Sequence, residues 1–115
     1  MTEQQVIWSV NETASIKSYT LANFRTIPQI QQMSEESQFE MEVVGNVLPF
    51  KANNYVVEQL IDWNNIPKDP MFVLTFPQKG MLNPEHYEKM ASVLSNGADK
   101  KEIQNTANEI RLQLN

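Results

Sequence analysis

Cysteine does not occur in this chain. Its absence excludes a disulfide framework, a thiolate nucleophile and any cysteine-held zinc or iron–sulfur site, and it fits a reducing compartment. Glycine is scarce. The three glycines do not cluster, so no glycine-rich loop exists to cradle a phosphate. Histidine occurs once, as His86, which leaves no serine–histidine–acid arrangement and no histidine cluster for a metal. Long apolar runs are also missing. No stretch approaches the ~20 apolar residues of a membrane span. The opening MTEQQVIWSV has neither the basic start nor the apolar run of a signal peptide. Basic runs go no further than Lys100-Lys101, and the net charge is −5. Such a field repels a phosphate backbone and an anionic membrane surface, so neither nucleic acid nor membrane is expected as a partner. The chain reads as cytoplasmic.

What remains is a chain of 115 residues, 41% of them apolar. That is enough for one domain, whose core hides roughly two-thirds of the unfolded chain's surface. Residues 1–14 alternate weakly around one large anchor, Trp8, and read as a loose arm. A short helix is expected from Ile27 to Met33, since Pro28 is tolerated in a first turn. Ser37 and Glu40 read as a capping box, followed by a stripe through Phe39, Val43 and Val47. Gly45 weakens that helix by about 1 kcal/mol, and Pro49 ends it. Asn53 or Asn54 can cap a second helix carrying Val56, Val57, Leu60 and Ile61. The run DWNNIPKDP then breaks it.

Met71 to Phe76 is a continuous apolar run of β-like residues closed by Pro77 and Gly80. It reads as an extended segment. No second such run exists to pair with it, so no sheet is expected. Asn83-Pro84 opens a helix whose stripe is Tyr87, Met90, Ala91 and Leu94, with Gly97 just past its end. Asp99 and Glu102 open the last helix, lined by Ile103, Ala107, Ile110 and Leu114. That helix reaches Asn115 still periodic and without a stop signal, and so reads as cut. The expected fold is all-α: four to five short helices, one extended apolar segment and a loose N-terminal arm. It divides into an arm with a short helix over 1–33 and a helical domain over 34–115.

The residues offer little chemistry. His86, in a helix first turn, reads as a surface histidine. Glu35, Glu36, Glu40 and Glu42 suit a solvated helix start better than a metal site. Lys79 beside Gly80 is a turn pair that only weakly suggests a phosphate contact. The internal methionines read as core filler. Trp63 reads as a helix-end ring packed on the core. No catalytic, cofactor-binding or metal residue is assigned. The apolar run supplies the expected interface residues, Phe72, Leu74 and Phe76.

Several landmarks fall in a familiar order: Ser34-Glu35-Glu36, Pro49-Phe50, Leu60-Ile61-Asp62, Asp69-Pro70 and Phe76-Pro77. Over residues 34–77 the chain resembles the N-terminal helical region of the lysine 2,3-aminomutase family. The closing NEIRLQLN resembles the same family's approach to its catalytic domain. The resemblance implies radical enzymes that use a 4Fe–4S cluster, S-adenosylmethionine and pyridoxal phosphate to move an amino group between neighbouring carbons. Their cluster motif, C-x-x-x-C-x-x-C, lies on a partial α/β barrel beyond this region. This chain has no cysteine, so it is expected to carry none of these cofactors and to be inactive alone. Its implied role is structural: packing on the catalytic barrel of the parent chain, and self-association. Two other readings stand beside it: a free-standing helical protein-interaction module, and a small pyridoxal- or phosphate-binding protein.

Overall fold

The computed structural model describes residues 16–114. The expected arm around Trp8 lies outside them. The described chain is mainly helical. Strand β1 (Ser18–Tyr19) leads into a 3-10 turn at Phe24–Thr26 and a short helix α1 (Pro28–Gln31). Helix α2 (Glu35–Val47) follows, then strand β2 (Ala52–Asn53) and a π-helical turn at Val56–Leu60. A second 3-10 turn, Trp63–Asn65, leads to helix α3 (Pro70–Thr75). A third, Lys79–Met81, precedes the two long closing helices α4 (Pro84–Ser95) and α5 (Lys100–Gln113).

Local signals explain most of these boundaries. The side chain of Ser34, not Ser37, caps α2 by accepting from the Ser37 amide at 3.0 Å. Asn83 accepts from His86 N at 2.7 Å and Asp99 from Glu102 N at 2.9 Å, which fixes the starts of α4 and α5. Gly97 has φ 71°, the left-handed value a glycine supplies just past a helix end. Asn53 accepts from Val56 N at 2.9 Å and opens the expected second helix. That element winds as a π-turn, closed by Ile61 N bonding Val56 O.

Two further expectations about secondary structure fail. The run Met71–Phe76 is not extended: Pro70–Thr75 is helical and Phe76 is its C-cap. The Asp69 carboxylate accepts from Phe72 N at 2.9 Å, and Pro70 takes the first helical position. This is the same start signal that Asn83-Pro84 supplies to α4, but here it lay inside a segment read as a hinge. A small sheet also exists. Ser18 pairs with Asn53 and Tyr19 with Ala52, antiparallel. Asn54 extends the pairing, its N bonding Lys17 O at 3.0 Å and its Oδ1 accepting from Lys17 N at 2.9 Å. Neither strand is long or alternating enough to show in the sequence.

The apolar residues gather in two clusters. The first joins Tyr19, Phe24, Ile27 and Ile30 to Met41, Val57, Phe72 and Phe76. It is rich in rings: Phe50 packs against Phe24 and Phe76, each at 5.7 Å between centroids, and Trp63 lies edge-on to Phe72 at 5.7 Å. The indole N–H of Trp63 donates to Val57 O at 2.7 Å, so the ring packs without an unmet donor. The second cluster is largely aliphatic, built from Val43, Val44 and Val47 of α2 with Met90 of α4 and Ala107 and Ile110 of α5.

Candidate functional site

A groove of about 500 Å³ lies where β1's outgoing chain, the end of α2 and one face of α5 meet. Its wall is Leu21 and Phe50, its floor is Gly45, and its far side is the α5 stripe Lys100, Ile103, Gln104, Ala107 and Arg111. Close approach of side chains favours glycine at position 45. A Cβ there would stand 3.0 Å from Phe50 Cε1 and 3.1 Å from Leu21 Cδ1. The glycine read from sequence as a weak point in a helix is where two wall residues press onto its backbone.

Arg111 sets the geometry at one end. Its Nε donates to Val47 O at 2.7 Å, its Nη2 to Asn46 O at 2.8 Å, and its Nη1 to Asn108 Oδ1 at 2.7 Å. The two carbonyls belong to the last turn of α2, where backbone acceptors lack helical partners and carry partial negative charge. The guanidinium thus caps α2 from another helix and is held in a fixed orientation. Of its five N–H groups, two have no partner among the described residues. Neither Arg111 nor Lys100 pairs with a carboxylate among the described residues, whereas Arg25 does with Glu42 and Lys89 with Glu109. The groove is mostly apolar, with Thr20, Asn46 and Gln104 among its lining, and Lys100 and Arg111 are its two cations. Sequence reasoning missed it. The stripe Ile103-Ala107 was legible, but the cap that immobilises Arg111 joins residues far apart in the chain.

The residues expected at an interface separate. Phe72 and Phe76 are each 1% exposed, inside the first cluster, while Leu74 on the opposite side of α3 is 81% exposed. Helical winding divides what an extended strand would have presented differently. His86 is buried, not on the surface: its Nε2 lies 2.9 Å from Gln113 Oε1, and Nδ1 has no partner among the described residues. This contact ties the start of α4 to the end of α5. Among the described residues, no group of histidine, aspartate and glutamate side chains is placed to hold a metal. No helix among them is long and apolar enough to cross a membrane.

Lys79 Nζ stands 4.9 Å from the ring centroid of Tyr87. Burial raises the Tyr87 phenol above its usual pKa, and the carboxylates of Glu40, Glu88 and Glu36 push it the same way. The acidic start of α2 and α4 thus acts on a buried ring and does not form a ligand set.

Compared with protein families, curated proteins and solved structures, the chain matches none.

Proposed function

We propose that this chain is the N-terminal helical portion of a lysine 2,3-aminomutase-like radical enzyme, serving packing and subunit association. The observation that carries the reading is the ordered resemblance over residues 34–77, from Ser34-Glu35-Glu36 to Phe76-Pro77. The residues present do not fit the cofactors of such enzymes. With no cysteine in the chain, nothing here supplies thiolates to a cluster, and no lysine is assigned to pyridoxal phosphate. Chemistry belongs to the catalytic barrel, and this portion contributes shape and contact. Its exposed apolar side chains suit that role: Leu74 on α3, with Leu112 and Leu114 at the end of α5, lie outside both clusters. The cytoplasm is the compartment this reading takes.

Reading the gene beyond the codon for Asn115 tests it. An in-frame C-x-x-x-C-x-x-C within the following domain is the expected result. A stop codon directly after Asn115 overturns it and leaves a free-standing interaction module.

A further inference from the structure

We propose that the groove between α2 and α5 binds a small carboxylate with an apolar body, held by Arg111 at its anionic end. The inference is independent of the aminomutase reading. A volume of about 500 Å³ falls within the usual range of ligand sites, which are mostly apolar with a few fixed polar groups. Leu21, Phe50, Ile103 and Ala107 supply the apolar surface. Arg111 supplies the fixed polar group. Its three bonds to Val47, Asn46 and Asn108 orient the guanidinium before any ligand arrives, and two N–H groups have no partner among the described residues. Preorganisation of this kind lowers the ordering cost of binding.

Charge decides the ligand's sign. The chain as a whole is at −5, yet both cations lining the groove lack a carboxylate partner among the described residues. They stand about 16 Å apart along α5 at the usual helical rise. With two cations and no carboxylate in its lining, the groove favours an anion over a cation. Arg111 is the better anchor of the two, because Lys100 is exposed and makes no described contact that fixes it. A guanidinium N–H donates a stronger, charge-assisted hydrogen bond to a carboxylate than to a hydroxyl of the same shape.

Decanoate, decanol and acetate, each titrated into the 115-residue chain, separate the contributions. Decanoate is expected to bind saturably, one per chain, with NMR shift changes at Leu21, Ile103 and Arg111. Decanol is expected to bind about tenfold more weakly, the equivalent of ~1.4 kcal/mol, and acetate to show no saturation. Gln104 lines the groove and is exposed, so Gln104→Glu is expected to leave the fold intact while placing a negative charge beside the ligand. It is expected to weaken decanoate by about tenfold or more and to leave decanol unchanged. Arg111→Lys, which keeps the charge and loses the fork, is expected to fall between. Equal affinity for decanoate and decanol overturns the proposal. So does decanoate binding that Gln104→Glu does not change, or shift changes confined to other surfaces.

Discussion

Arg111, near the end of the last helix, donates from Nε to the carbonyl of Val47 at 2.7 Å, across 64 positions of sequence. With the bond to Asn46, it gives α2 the C-terminal cap that its own sequence lacks: there is no basic residue in the last turn and no glycine follows. A hydrogen bond from a charged donor contributes about 1.5–3 kcal/mol. Arg111→Met is therefore expected to lower stability by ~2–4 kcal/mol, read from urea unfolding. Lysine cannot reach both carbonyls with a planar fork, so Arg111→Lys should recover less than half of the loss. A variant that unfolds at the same urea concentration as the parent would show the cap to be idle.

Tyr87 makes stability depend on alkaline pH. The fold favours its neutral form, through burial first and then the nearby Glu40, Glu88 and Glu36. A group whose pKa is raised by folding contributes fully below its ordinary pKa, here 10.0. The contribution is lost as pH climbs through the raised value. Unfolding midpoints should therefore fall above pH 10.0, and Tyr87→Phe should make that fall shallower. In an ultraviolet titration, the Tyr87→Phe chain should lose a late component, one that titrates above pH 10.0. If the late component persists, it belongs elsewhere.

The residues of α3 predict opposite outcomes two positions apart. Phe72→Ala empties a fully buried site and should cost about 3–5 kcal/mol. Leu74→Ala should stay within ~0.5 kcal/mol, since its side chain packs on neither cluster. Association is a separate readout. If α3 presents Leu74 to a second copy, sedimentation shows a dimer or larger species, and Leu74→Glu returns it to monomer with an unchanged helical spectrum. A monomer at high concentration in the parent chain removes subunit association from the proposed role.

Trp63→Phe keeps a ring against Phe72 and deletes the donor to Val57. The expected cost is ~1 kcal/mol, that of an ordinary hydrogen bond, plus the smaller ring's lost packing. Trp63→Ala should cost about 3–5 kcal/mol. Thermal unfolding followed by circular dichroism separates the two. Equal costs would mean that a phenyl ring at this position recovers none of the lost stability.

The long helices were legible because their signals are local. Asn83-Pro84 and Asp99 act within one turn, and the stripes through Met90 and Ile110 repeat at helical spacing. The α3 helix was missed because the run Met71–Phe76, apolar but for Thr75, carries no periodicity. Its only marker, Asp69-Pro70, sat among turn formers. The pairing of Ser18–Tyr19 with Ala52–Asn53 was invisible for a different reason: two-residue strands have no pattern, and their partners are distant. The burial of His86 and the cap from Arg111 are likewise products of α4 and α5 meeting other elements. Each depends on tertiary placement, which composition and spacing do not encode.

Helix α2 places Met41 in the aromatic cluster and Val43, Val44 and Val47 in the aliphatic one. The two cores therefore share one rod. Neither half can melt and leave α2 whole, because each removes one flank of the same thirteen residues. Loss of either core spreads to the other through α2. The amide protons of its middle turns should accordingly be the slowest in the chain to exchange with solvent, at a rate set by opening of the whole molecule.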